Sequence, residues 1–284
     1  MTDIILKYKN IENSTIDKAT LSSLFQRNTD IINIDNFISL NTADELLSAL
    51  RISDKNEDKG YFRLPDGCFF PFPYSIIRGD QENAAEALNN YLSSNKSFSK
   101  RFFTSEHAAA NVIRKQIEQS GGTKLLCLPN QICLSPMSFR VLFSGKNGID
   151  IHCENAFLNQ LDSEFKKNIY EVIDLENALS LFITLQAPEE GGELVLFNKS
   201  WENTQINVNE TSYEERHNID GSIFKNRGHT NIEHYMIKPK KCSATIFRAA
   251  QIWHSINYIE GNLDRVTIGC FIAEGKDGNI YYWA

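Results

Sequence analysis

The sequence predicts a mainly β chain, a sandwich or jelly roll, with helices flanking one outer face. Three features carry that expectation. After residue 122, short runs of β-branched and aromatic residues alternate with period two and are bounded by Gly, Pro or Asn. A helical pattern fills residues 81–119 and stops at Ser120-Gly121-Gly122. With 284 residues and 42% apolar side chains, the chain falls outside the disordered and low-complexity classes and can bury one large core.

The elements follow in order. Ile31 to Phe37 alternates as a short strand, and Thr42 to Leu50 reads as a helix capped by Asn41 or Thr42. Residues 61–79 are proline-rich around Phe62, Phe69, Phe70, Phe72 and Tyr74, so no regular helix runs there. Beyond the helical pattern, the expected strands are Phe139–Phe143, Leu181–Leu185, Glu193–Phe197, Ala244–Phe247, Arg265–Ile272 and Ile280–Trp283. The polar stretch from Asn198 to Ile237 lacks periodicity and is too long for a passive connector, which marks a lid or a disordered loop. No repeat or linker divides the chain. We therefore expect one domain over 1–284: a mixed helical layer over 1–122, then a β core over 123–284 with the lid-like insert at 198–237.

The formal net charge of −7 disfavours nucleic acid, whose phosphates need a basic stripe. Lys238, Lys240 and Lys241 around Pro239 read as an exposed turn. The longest strongly apolar run, Leu179 to Leu185, is far short of the roughly 20 residues a membrane helix needs. The N-terminal residues have the wrong charge and too little apolar length for a signal peptide. Cys68, Cys127, Cys133, Cys153, Cys242 and Cys270 form no Cys-x-x-Cys pair and are expected to be reduced core thiols. A cytoplasmic protein without a membrane partner is the expectation.

His152 precedes Glu154 by two positions, a spacing that on a strand puts both side chains on one face. Alone, such a pair is most often a surface feature. Its setting favours a metal: His152 follows a strand and a glycine-bearing turn, and His254 comes just after the expected strand Ala244–Phe247. Arg265, eleven residues beyond His254, shares a strand face with Thr267. Two histidines and one carboxylate on a β scaffold match the facial triad of non-haem Fe(II) oxygenases. A nearby arginine can grip a carboxylate, here the far end of 2-oxoglutarate, through paired charge-assisted hydrogen bonds.

The order of these parts resembles the 2-oxoglutarate/Fe(II)-dependent oxygenases, whose core is a double-stranded β-helix of the cupin-like jelly-roll type. Three segments resemble a subgroup, the carrier-protein-independent halogenases of hapalindole- and welwitindolinone-type alkaloids and related small-molecule hydroxylases. They are Phe139–Phe143, Ala187–Phe197 with its Gly-Gly-Glu-Leu, and Thr267–Phe271 with terminal Ile280–Trp283. The resemblance implies that His152, Glu154 and His254 bind Fe(II), that Arg265, helped by Thr267, binds 2-oxoglutarate, and that O2 is the oxidant. The halogenases carry glycine where Glu154 stands, and the vacated position takes halide. A carboxylate fills that position, so the expected reaction is hydroxylation of an aliphatic C–H bond. The expected substrate is a small freestanding molecule, an amino-acid derivative or natural-product intermediate, with no carrier protein. Desaturation, cyclisation or epimerisation with the same cofactors is the alternative. A non-catalytic cupin-like binding protein is the rival of another class, and there Arg265 would have no reason to accompany the triad.

The remaining candidates read more plainly. His217, His229 and His234 lie in the polar 198–237 stretch and are expected in solvent. Phe69, Phe70, Phe72 and Tyr74 are expected to pack the helical layer on the sheet rather than line a pocket mouth. Trp253 and Cys153 should face away from the metal by alternation. Arg140 and Lys146 are expected as surface charges, and Gly191-Gly192 as a turn.

Overall fold

The structure, a computed structural model of the chain, describes residues 5–12, 16–51, 61–71, 84–103, 108–129, 132–158, 163–201, 214–217, 223–226 and 233–284. The first half holds β1 (Tyr8–Glu12), α1 (Lys18–Phe25), β2 (Ile31–Asp35), α2 (Leu40–Arg51), β3 (Phe62–Leu64), β4 (Gly67–Phe70), α3 (Ala84–Phe102) and α4 (Ala108–Gly121). The middle holds β5 (Lys124–Leu125), β6 (Ser138–Leu142), β7 (Ile149–His152), α5 (Glu154–Phe157), α6 (Ser163–Val172), β8 (Leu179–Gln186), β9 (Glu190–Gly191) and β10 (Leu194–Ser200). The last part is all strand: β11 (Glu214–His217), β12 (Ile223–Asn226), β13 (His234–Ile237), β14 (Ala244–Phe247), β15 (Ile252–Ile256), β16 (Ile259–Glu260), β17 (Arg265–Glu274) and β18 (Ile280–Trp283). The fold is mostly β with flanking helices, as expected.

Ten strands form a large sheet in the order β1-β2-β14-β8-β17-β6-β4-β3, with β18 and then β5 beyond the second half of β17. A smaller sheet runs β13-β10-β15-β7. Period two along each large-sheet strand sorts its residues between two environments. Leu181, Ile183, Ile246, Ile268 and Phe139 join the core shared with Leu46 and Leu47 of α2 and Ile113 and Ile117 of α4. Phe98 and Phe102 of α3 close it, with ring centroids 6.0 and 4.8 Å from Phe139. Burial of each such side chain contributes roughly 1.5–3 kcal/mol. On the opposite face, Leu142 and Phe247 meet Leu194, Leu196, Ile252 and Ile256 of the small sheet. Helices, large sheet and small sheet thus form three layers, and the space between the two sheets is where the site lies.

Charges also tie the layers. Asp30, just before β2, accepts a 2.7 Å hydrogen bond from Arg248, just after β14, with both side chains almost fully buried.

Several sequence expectations need correction. The strand expected at Ile31–Phe37 is β2, but the N-terminal segment holds more strand than expected, because β1 to β4 extend both ends of the large sheet. The helical pattern over 81–119 is two helices, and α4 ends at Gly121, followed by Gly122 with φ +66°, a conformation glycine adopts without strain. The cap of α2 is Ser39, whose Oγ accepts the Thr42 N–H at 3.1 Å. The polar stretch from 198 is strand at both ends: β10 runs on to Ser200, and β13 pairs with β10 as an edge strand. Between them β11 and β12 form an antiparallel ribbon. Cys127 and Cys133 are joined by a disulfide across an antiparallel bridge. Four free, buried cysteines remain: Cys68, Cys153, Cys242 and Cys270.

Candidate metal centre

His152 ends β7 and His254 sits at the middle of β15, and the two are direct partners across that antiparallel pair. Their rings face the large sheet with centroids 4.1 Å apart. β15 is buried along its whole length, with Trp253 on the other face against Ile151, Cys153, Val195 and Phe197. Trp253 and Cys153 thus both face away from the metal side, as expected, and both are buried.

Glu154 arrives differently from its sequence reading. The strand stops at His152, Cys153 is extended, and Glu154 is the first residue of the short helix α5. That turn is pinned from behind: the Cys153 thiol donates to the Ala250 carbonyl at 2.9 Å and the Glu154 N–H to the Ala249 carbonyl at 3.3 Å. The side chain still reaches the imidazoles. Glu154 Oε2 lies 3.9 Å from His152 Nε2 and 3.5 Å from His254 Nε2. Two ligands of one first-row divalent ion, at roughly 2.1 Å each, lie no more than about 4.2 Å apart. Both separations are compatible with a single ion between the three side chains, whose ligand atoms all lie within 4.8 Å of one another.

The protonation states suit a cation. His152 Nδ1 lies 2.7 Å from the Asp150 carbonyl and His254 Nδ1 2.8 Å from the Ile252 carbonyl. A carbonyl only accepts, so each Nδ1 carries the proton and each Nε2 presents its lone pair. Burial, with the Arg140 charge adding to it, pushes His152 down to about 3. Burial, followed by the neighbouring His152, also holds His254 well below the usual imidazole range. Burial pushes the Glu154 carboxyl up to about 7, against the pull of Arg140. Glu154 Oε2 is buried without a hydrogen-bond donor among the described residues. An orphaned carboxylate oxygen between two imidazole lone pairs is a donor set that lacks only a cation, and it fits the ion the sequence implies.

Across the gap, Arg265 opens β17 and is 2% exposed. Its guanidinium lies over the Phe182 ring at 5.2 Å, and its Nε has no hydrogen-bond partner. Burial and then the Arg140 charge pull it down to about 9. Thr267 is buried two residues on, lining the same cleft. The Gly191-Gly192 turn, with both residues at positive φ, makes room for this arginine. A Cβ on Gly192 would lie 3.1 Å from Arg265 Cδ and 2.9 Å from Pro188 Cγ. The walls of the cleft include His152, Glu154, His254, Arg265 and Thr267. The structure thus brings together all five residues singled out in the sequence.

It also adds one that the sequence reading placed at the surface. Arg140 of β6 lines the same cleft, while Lys146 is exposed as expected. Arg140 is the cross-strand partner of Thr267 on one side and of Phe69 on the other. The signal was present: period two on β6 puts Arg140 on the face opposite Phe139, which is core. The aromatic group divides by the same rule. Phe70 packs on Phe98 and Phe102 as expected, whereas Phe69 lies under Arg140. Phe72 and Tyr74 lie outside the described residues, as do His107 and His229. His234 is on the edge strand β13, its ring 6.0 Å from Phe197, and has no part in the triad. His217 belongs to the β11–β12 ribbon.

No helix among the described residues is long and apolar enough to cross a membrane. Among the solved structures that share the fold are two dioxygenases. One is an N-substituted L-amino acid dioxygenase from Burkholderia ambifaria AMMD, with TM-score 0.60 and 13% identity over 94% of this chain and 91% of that one. The other is described as such a dioxygenase from the same organism in complex with alpha-KG, with TM-score 0.57 and 15% identity over the same shares. No curated protein matches the chain. Residues 78–284, which hold every residue of the site, match the family described as carrier-protein-independent halogenase WelO5, and the chain belongs to that family.

Proposed function

We propose that the protein is an Fe(II)/2-oxoglutarate-dependent oxygenase that hydroxylates an aliphatic C–H bond of a small freestanding substrate, an amino-acid derivative or natural-product intermediate. The observation that carries this reading is the convergence of His152 Nε2, His254 Nε2 and the unpartnered Glu154 Oε2 opposite a buried guanidinium. We take the two packed sheets as a double-stranded β-helix and the chain as one oxygenase domain working without a carrier protein. The B. ambifaria dioxygenase and its alpha-KG complex support the cosubstrate at the level of a shared fold.

In this reading His152, Glu154 and His254 hold Fe(II) on one face, and the iron, when bound, supplies the activation of O2 coupled to decarboxylation of 2-oxoglutarate. The residues do the rest. Arg265 neutralises the 5-carboxylate with a pair of charge-assisted hydrogen bonds, and the Thr267 hydroxyl adds a donor. Phe182 and the Gly192 turn hold that guanidinium in place. Leu194, Phe247 and Ile256 line the cleft with apolar surface and exclude water from the reacting C–H bond.

Glu154 selects hydroxylation over halogenation, because its carboxylate takes the position that the family's halogenases leave to halide. A screen for succinate release over amino acids, N-acyl amino acids, nucleosides and alkaloids identifies the substrate. With that substrate, the wild type yields an alcohol in the presence of chloride, and Glu154→Gly is the variant that can accept halide. Chlorination by the wild type would refute the role given to the carboxylate.

A further inference from the structure

Among the described residues, Arg140 is a charge without a partner in a site built around charge. It lines the cleft beside the triad. Its guanidinium lies over the Phe69 ring at 4.7 Å, and it makes no hydrogen bond or ion pair with any described residue. The carboxylate whose charge acts on it is Glu154, and that group is committed to the ion. Arg265, in turn, is committed to the cosubstrate.

The charged side chains lining the cleft are Arg140, Glu154 and Arg265, and the Glu193 carboxylate also acts on Arg265. In the oxygenase reading the ion takes Glu154 and the far carboxylate of 2-oxoglutarate takes Arg265, which leaves Arg140 with no carboxylate of its own among the described residues. A half-buried guanidinium with no carboxylate beside it is a ready anion site. One cross-strand row, Phe62–Phe69–Arg140–Thr267, links it to the cosubstrate side of the cleft.

Resting on the oxygenase reading, we propose that Arg140 anchors a carboxylate of the substrate, so that the enzyme takes anionic small molecules with an apolar body beside the carboxylate. The forked guanidinium fits a carboxylate bidentately. The apolar body then lies against the Leu194, Phe247 and Ile256 side of the cleft, which puts its C–H bonds near the ion.

The test uses the full chain loaded with Mn(II) and saturating 2-oxoglutarate, with 4-methylpentanoate and 4-methylpentanamide as matched probes. Paramagnetic relaxation of the probes' methyl protons reports proximity to the ion without turnover. The wild type should relax the acid at least about ten times more strongly than the amide. Arg140→Met and Arg140→Gln should abolish the difference, and Arg140→Lys should keep part of it. Affinity for 2-oxoglutarate should stay within about threefold of wild type in all three. Equal relaxation of acid and amide by the wild type overturns the proposal. So does a loss of 2-oxoglutarate affinity in these variants, because Arg140 would then serve the cosubstrate. Failure of 2-oxoglutarate to bind wild-type Mn(II) protein removes the oxygenase reading itself, and the anchor with it.

Discussion

The protonation states around the triad set how metal affinity depends on pH, and the dependence is unusual. A metal ion binds the deprotonated ligands, so affinity rises with pH until the last ligand proton is lost. With ordinary side chains, two imidazoles near 6.5 would dominate, and log affinity would approach a slope of two protons per pH unit near pH 5. Here His152 sits at about 3 and His254 well below its usual range, so neither carries a proton for the ion to displace. Glu154, pushed up to about 7, is the group that must lose one. The weakening relative to high pH is 1 + 10^(7 − pH), which is about tenfold between pH 8 and pH 6, or ~1.4 kcal/mol, and about a hundredfold by pH 5. Mn(II) titrations followed by the free-ion electron paramagnetic resonance signal, from pH 5 to 8.5, measure this directly. The expected line has a slope near one between about pH 5 and 6 and flattens above about pH 8. Glu154→Gln should weaken binding and remove the slope. A slope near two in the wild type, or a slope that survives in Glu154→Gln, would refute the assignment of the displaced proton.

Other perturbations act on parts of the fold that support the site. Asp30→Asn or Arg248→Met leaves one member of a buried ion pair alone and should cost about 3–5 kcal/mol in urea denaturation; a loss below about 1 kcal/mol would show that the pair is solvated. Gly192→Ala places a Cβ at φ +66° beside Arg265 Cδ, so calorimetry should show 2-oxoglutarate affinity falling about tenfold with metal affinity unchanged. Equal loss of both would mean that the turn supports the whole cleft. Phe98→Ala opens a cavity between Phe70, Phe102 and Phe139 and should lower stability by about 3–5 kcal/mol. Metal affinity measured well below the melting point should not move, and a large change there would mean that the helical layer positions the triad.

The strands legible in the sequence are those whose residues alternate between two different environments. β14 and β18 have the expected bounds, and β6, β8, β10 and β17 differ by a few residues at their ends. β15 escaped because every residue from Ile252 to Ile256 is buried, so no polar face marks its period. β7 is four residues long with Asp150 in its middle. The N-terminal strands pair with partners distant in sequence, as β2 does with β14, and nothing local announces that. The triad was legible from residue type and order, although Glu154 reaches it from a helical turn rather than a strand. Arg140 was misplaced because its charge was weighed above the period of its strand. Cys127 and Cys133 were read as separate thiols because six-residue spacing does not show that the chain doubles back between them.

The most direct measurement is the visible spectrum of the anaerobic protein with Fe(II) and 2-oxoglutarate, together with its bound-iron stoichiometry. One iron per chain and a weak charge-transfer band that appears only with both components are expected. Both should be lost in His152→Ala and His254→Ala and retained in His234→Ala. No band with iron and cosubstrate saturating, or a band indifferent to His152 and His254, would contradict an iron centre at these three residues.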